Sequence, residues 1–143
     1  AVASRGIPFA PPGRVLVASP LKDFTSAALD AFPGAASFRF SYSPENAALP
    51  GELAAFDAAL AGCSAVVVCV ANQAGMDFAQ RAHDAGKRVA IISAQSPAPL
   101  ARAGWAEAAV AVYGCSRESL RAGLDVLAGR AAAQGRLPVK LSR

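Results

Sequence analysis

The chain holds 143 residues, of which 54% are hydrophobic and 17% are charged. This length fits one domain, and this composition excludes an intrinsically disordered chain. No stretch of about 18 apolar residues occurs, so neither a membrane-spanning helix nor a membrane partner is expected. The net charge is +4, and a C-terminal segment without acidic residues supplies the excess. Its basic residues are scattered and lack interleaved aromatic side chains, so nucleic-acid binding is not expected. They are Arg130, Arg136, Lys140 and Arg143.

Residues 1–13 are rich in glycine and proline, including the run Pro11-Pro12-Gly13. Such a composition disfavours regular structure and suits a linker. We therefore expect an interdomain linker over residues 1–13 and a folded domain over residues 14–143.

The first half of the domain predicts two strand–helix units. Arg14–Ala18 is a short apolar strand, and Leu21–Phe32 repeats apolar residues at helical spacing. Ala36–Tyr42 alternates aromatic and polar residues, which favours a strand at the edge of a sheet. Glu52–Ala61 again has helical spacing and is followed by Gly62.

The second half continues the alternation. The run Ala65–Ala71 is unbroken and rich in valine, which is typical of a central strand buried on both faces. The remaining elements, in order, are a helix over Gly75–Ala85, a strand over Val89–Ser93, a short helical turn over Leu100–Ala103, a strand over Ala108–Val112 and a helix over Arg117–Leu127.

Strands that alternate with helices of about ten residues predict an α/β protein. We expect a three-layer α/β/α sandwich built on an open, mostly parallel sheet of five strands. Val139–Leu141 is a candidate antiparallel edge strand, because Pro138 is tolerated at the start of an edge strand.

Polar residues where the predicted strands end are the candidate ligand contacts, because open α/β sheets bind ligands at that edge. They are Ser19, Asn72, Gln95 and Tyr113. The same residue types also form turns and helix caps, and that structural role is the more common one.

A complete active site is not apparent. The single histidine, His83, falls within a predicted helix, and no Gly-x-Ser-x-Gly motif is present. No two carboxylates are placed to converge as a glycosidase pair, and nucleotide-binding glycine loops are missing. We therefore expect no catalytic residue, no metal site and no cofactor. The carboxylates considered for a glycosidase pair are Asp77, Asp84, Glu107, Glu118 and Asp125.

The C-terminal third resembles the closing part of the second domain of glycoside hydrolase family 3. The resemblance rests on Ala111–Ser119, Ala122, Val126–Gly129 and, most specifically, on Gly-Arg-Leu-Pro-Val at Gly135–Val139. The strand Val89–Ser93, followed by Ser96-Pro97 and Leu100, is similar to a further step of that family.

This resemblance implies a domain that follows a catalytic (β/α)8 barrel, which holds the nucleophilic aspartate. Some members place an acid/base glutamate on the loop after the third strand of the second domain. The corresponding stretch here, Asn72–Asp77, holds no glutamate. That departure favours the β-N-acetylglucosaminidase-like branch.

Two functions therefore stay open. In the first, the chain is the non-catalytic C-terminal domain of a retaining β-N-acetylhexosaminidase or β-glucosidase. It would support a barrel of the same polypeptide, border its sugar site and be inactive alone. In the second, it is a stand-alone α/β module that binds a small ligand or has a regulatory role. An upstream barrel in the same reading frame distinguishes them.

A domain that evolved beside a barrel should expose an apolar patch and self-associate weakly through it. The expected members are Ile7, Phe9, Tyr42, Met76 and Trp105, rimmed by Arg39 and Arg102.

Cellular location is predicted from two features. The cysteines Cys63, Cys69 and Cys115 are odd in number and lack Cys-x-x-Cys spacing, so reduced core thiols are expected. No signal peptide is apparent, which makes the cytoplasm the default expectation. Since the chain begins with alanine, we also expect it to be part of a longer polypeptide.

Overall fold

Seven strands and four helices occur in the part of the chain that the computed structural model describes. These residues are 2–40, 50–71, 73–94, 103–112, 114, 116–130 and 135–136. The strands are β1 (Val2–Arg5), β2 (Val15–Ser19), β3 (Ala36–Arg39), β4 (Ala65–Val70), β5 (Arg88–Ser93), β6 (Ala108–Val112) and β7 (Gly135–Arg136). The helices are α1 (Lys22–Ala31), α2 (Pro50–Ala61), α3 (Gln73–Asp84) and α4 (Arg117–Leu127).

All strands belong to one sheet, in the order β3-β2-β4-β5-β6-β1-β7. Strands β2 to β6 form a contiguous parallel set with β4 at its centre. Every residue of β4 is buried, as its valine-rich sequence predicted. β3 lies at the edge of the sheet, which confirms the position predicted from its alternating pattern.

The sheet is covered on both faces, which confirms the α/β/α sandwich. On one face, α1 and α4 pack over the side chains of Val15, Val17 and Val67. On the other, α2 and α3 pack over those of Val66 and Val68. Alternate residues of each buried strand therefore contribute to two separate cores.

Four phenylalanines, Phe38, Phe40, Phe56 and Phe78, gather in the core beneath α2 and α3. The Phe78 ring centroid lies 4.4 Å from that of Phe40 and 5.0 Å from that of Phe56. Phe38, half-buried on the edge strand, closes this cluster at 5.6 Å from Phe78. Edge-to-face and tilted contacts of this kind add to the free energy gained from burial.

The expectation that residues 1–13 form no regular structure is wrong. β1 is inserted between β6 and β7 and pairs antiparallel with β6, from Val2 opposite Val112 to Arg5 opposite Ala109. Gly6 then turns the chain with a positive φ of 73°, where an added Cβ would collide with the backbone at Glu107. Whether these residues also join two domains stays a prediction.

Two sequence predictions fall outside the described residues: the antiparallel edge strand at Val139–Leu141 and most of the turn at Leu100–Ala103. The antiparallel strand that the structure does contain, β1, comes from the opposite end of the chain. β7 pairs parallel with β1 through Gly135 and Arg136.

Candidate functional site at the carboxyl edge of the sheet

The strand order identifies the carboxyl edge, where the parallel strands end, as the candidate site. The chain passes from β2 to β3 on one side and returns to β4 on the other, so the order reverses between β2 and β4. In open α/β sheets a ligand crevice forms at such a reversal, outside the carboxyl ends of the strands. Ser19 ends β2 there, and Ala71 follows β4.

Ser19 is fully buried, and its hydroxyl is engaged in a local turn. Its Oγ accepts a hydrogen bond of 2.8 Å from the backbone N–H of Leu21 and lies 3.2 Å from the Leu21 carbonyl oxygen, to which it donates. The Ser19 carbonyl in turn accepts from the N–H of Phe40. Ser19 thus has the turn-forming role, and its contact with a ligand stays a prediction.

The other three predicted contact residues, Asn72, Gln95 and Tyr113, lie outside the described residues. The strand ends before them are adjacent. Ala94, for example, donates its N–H to the carbonyl of Val70 at 3.0 Å. Since β4, β5 and β6 are neighbours in the sheet, these three positions follow three adjacent strands.

The first turn of α3 packs closely on the end of β4. A Cβ added to Gly75 would lie 2.8 Å from the carbonyl oxygen of Cys69 and 2.9 Å from the Cα of Val70. Both are backbone atoms, so only glycine allows this approach. The sequence indicated Gly75 only as the start of a helix. A glycine in the first helical turn after a buried strand is the signal that could have indicated this close packing.

The titratable groups with shifted pKa values form structural ion pairs away from this edge. Arg88, at the start of β5, makes a two-pronged contact with Glu107, with Nε–Oε1 at 2.6 Å. The hydrogen bonds from Arg88 lower the pKa of Glu107 and raise that of the guanidinium. Arg81 on α3 holds Asp57 on α2 in the same way and lowers the pKa of its carboxyl.

Other titratable groups of the described residues lie in the core or in local contacts. Among the described residues, no three His, Cys, Asp or Glu side chains could together hold a metal ion. Cys63 and Cys69 are buried and are not joined in a disulfide, in agreement with the predicted reduced core thiols, and Cys115 lies outside the described residues. Asp84 accepts a hydrogen bond from Gln80, and Asp125 faces Arg130.

The predicted apolar patch is wrong for two of its five members. Phe9 is 1% exposed and Met76 is 7% exposed, because each packs into a core of the domain itself. Ile7 and Trp105 also pack partly against these cores. Tyr42, like the rim residue Arg102, lies outside the described residues.

None of the described helices is long and apolar enough to cross a membrane. By sequence, no family model matches the chain, and no curated protein matches it either.

Solved structures share the fold of this chain. It is similar to part of a glycoside hydrolase family 3 β-N-acetylglucosaminidase from a Paenibacillus species, with a TM-score of 0.73 and 20% identity, over 99% of this chain and 30% of that one. A β-glucosidase from Listeria innocua, solved with isofagomine, matches with a TM-score of 0.74 and 16% identity, over 98% of this chain and 25% of that one.

A fungal multi-domain family 3 β-N-acetylglucosaminidase matches with a TM-score of 0.68 and 15% identity, over 99% of this chain and 18% of that one. The chain thus spans between 18% and 30% of the length of these three enzymes. The predicted resemblance to the second domain of family 3 is confirmed at the level of the fold.

Proposed function

We propose that the chain is the non-catalytic C-terminal domain of a family 3 glycoside hydrolase of the β-N-acetylglucosaminidase type, which supports a catalytic barrel of the same polypeptide. The observation that carries this proposal is the match of nearly the whole chain to a minor part of multi-domain family 3 enzymes. The Gly-Arg-Leu-Pro-Val sequence at Gly135–Val139 supports it independently of the fold.

The direction of β1 supports a docking site for that barrel at the carboxyl edge. Because β1 runs antiparallel to β6, its first residue, Val2, lies beside Val112, where β6 ends. A domain joined ahead of Val2 would therefore start at the edge that also carries Ser19 and Ala71. In this arrangement the carboxyl ends of β2, β4, β5 and β6 face the barrel and border its sugar site.

The gene tests the first part of the proposal. An in-frame sequence before Ala1 that encodes a (β/α)8 barrel of about 250 residues is expected. A start codon directly before Ala1 would refute it.

Hydrogen exchange tests the docking edge in the longer polypeptide. Backbone amides at Gly114 and Lys22, near the carboxyl edge, should exchange more slowly when the barrel is present than in the isolated 143-residue chain. Gly86, in the exposed turn between α3 and β5 at the opposite edge, is the matched control and should not change. Slower exchange at Gly86 alone would indicate that the barrel docks at the opposite edge of the sheet, which would contradict the proposal.

The isolated chain should not hydrolyse aryl β-N-acetylglucosaminide or aryl β-glucoside. A retaining glycosidase needs two carboxyl groups about 5 to 5.5 Å apart in its active site. Six carboxylates of the described residues are instead engaged with Arg or Gln side chains. Turnover that one carboxylate substitution abolishes would contradict this.

A second candidate function is the stand-alone ligand-binding module, and one observation favours it. Phe9 and Met76, expected at the barrel interface, are instead buried in the cores of this domain. Under this alternative the switch point between β2 and β4 binds a small ligand directly, and the upstream sequence encodes no barrel.

A further inference from the structure

A small cavity of about 270 Å³ opens at the amino edge of the sheet, opposite the candidate site. It lies between the segment that leads into β2, the turn after α1 and the end of α4. Its lining includes Phe9, Arg14, Phe32, Gly34, Ala35 and Ala128. Apart from Arg14 the lining side chains are apolar, but Arg14 and backbone groups make about half of the accessible lining polar.

The wall formed by residues 9–14 is held in place by hydrogen bonds to the rest of the domain. The N–H of Phe9 donates to the carbonyl of Leu127 at 2.7 Å. Ser64 binds the second half of the same segment. Its N–H donates to the carbonyl of Arg14 at 2.9 Å, and its Oγ donates to the carbonyl of Pro12. The cavity is therefore formed before any ligand enters, which lowers the entropic cost of binding.

Two aromatic rings shape the apolar part of the cavity. The rings of Phe9 and Phe32 lie edge to face, with centroids 6.5 Å apart and an interplanar angle of 71°. Phe9 is 1% exposed, so its ring is fixed by the core beneath α1 and α4. Since Phe9 offers almost no accessible surface, a planar ring in the cavity would contact the half-buried ring of Phe32, which packs against Phe9.

Arg14 is the single charged residue of the lining. Its side chain is exposed, and none of the five ion pairs among the described residues includes it. The guanidinium group therefore has its donors open to a carboxylate, which it can bind through two parallel hydrogen bonds.

We propose that this cavity binds a small planar aromatic carboxylate, with its ring against Phe32 and its carboxylate on Arg14. This site is separate from the carboxyl edge and does not depend on the proposed role beside a catalytic barrel.

Binding of 2-naphthoate to the 143-residue chain, followed by calorimetry and by amide chemical shifts, tests the proposal. Saturable binding with the largest shifts at Gly13 and Gly34 is expected. Arg14→Gln should weaken binding at least about tenfold, since a charge-assisted hydrogen bond contributes that much. Arg39→Gln, at an exposed arginine outside the cavity, is the matched control and should leave affinity unchanged.

A neutral analogue, 2-naphthalenemethanol, distinguishes the contribution of the carboxylate charge to affinity from that of the ring. It should bind more weakly than 2-naphthoate, and Arg14→Gln should not weaken it further. Ala10→Leu, at an exposed lining position, should lower the affinity for both compounds because it fills the cavity. No saturable shifts at Gly13 and Gly34, or equal affinity of native protein and Arg14→Gln for 2-naphthoate, would overturn the proposal.

Discussion

The imidazole ring of His83 stacks on the indole ring of Trp105, with centroids 4.5 Å apart and 20° between the ring planes. These are the single histidine and the single tryptophan of the chain. His83 is exposed on α3, whereas Trp105 is half-buried against the core beneath α2 and α3. The sequence placed His83 within a helix but did not indicate its partner.

This stack makes the tryptophan a reporter of one contact. His83→Ala should shift the emission of Trp105 to longer wavelength, because water gains access to a ring face that the imidazole covers. The free energy of unfolding should fall by no more than about 1.5 kcal/mol, the upper range for an aromatic pair. His83→Phe keeps an aromatic cover and should retain the native spectrum. An unchanged spectrum in His83→Ala would contradict the stack.

The Arg88–Glu107 pair should make stability depend on pH at the acid end. Arg88 lowers the pKa of Glu107 in the folded protein, so the pair stabilises the fold above the carboxyl's ordinary pKa of about 4.3. That contribution is lost as pH falls through the lowered folded-state value. Glu107→Gln should therefore lower Tm at pH 7 and have little effect at pH 2.

The shift in Tm should be small, because the two side chains are 43% and 38% exposed and solvent screens their attraction. Arg88→Gln should lower Tm at pH 7 as Glu107→Gln does, and the double variant should lose little more than either single variant. Additive losses in thermal unfolding would show that the two side chains do not act as a pair.

Phe9 should be essential for stability, although it lies in the proline-rich segment. Phe9→Ala should lower the free energy of unfolding by about 3 to 5 kcal/mol, as expected for truncating a buried phenylalanine. Urea unfolding measures this loss. Leu29→Ala is the control, since Leu29 is 36% exposed and should change stability by about 0.5 kcal/mol or less. Equal losses of stability in the two variants would contradict this prediction and favour a simple linker over residues 1–13.

Gly75 should not tolerate a larger residue. Gly75→Ala places a Cβ within 3 Å of the backbone of Cys69 and Val70, so α3 must move from β4 at a cost of about 1 to 3 kcal/mol. Gly51→Ala is the matched helical control, because nothing lies within 4 Å of its added Cβ. It should be neutral or stabilise by up to about 1 kcal/mol. Equal Tm values for the two variants would show that α3 does not pack this closely.

The sequence alone determined the local elements and the layers that cover the sheet. The predicted strand Ala108–Val112 and helix Arg117–Leu127 match the structure at both ends. Burial of β4 followed from its unbroken valines, and the edge position of β3 from its alternation. Each of these features depends on residues close together in the chain, where side-chain periodicity reports which faces are buried.

Less of the candidate site could be predicted from the sequence. The sequence located the strand exits, because a polar residue after an apolar run is a local feature. It did not reveal that the Ser19 hydroxyl is bound to Leu21, or that Gly75 meets the backbone of Cys69. These contacts depend on angles and distances between elements that periodicity does not encode.

Only the tertiary structure decided which distant segments pair. Glycine and proline mark residues 1–13 as irregular, yet β1 joins the sheet because Val2–Arg5 meets the otherwise open backbone edge of β6. Phe9 and Met76 look like surface contacts in sequence, but neighbouring elements remove them from water. Strand pairing and burial of this kind depend on surfaces that form after the chain has folded, so hydrophobic pattern alone could not supply them.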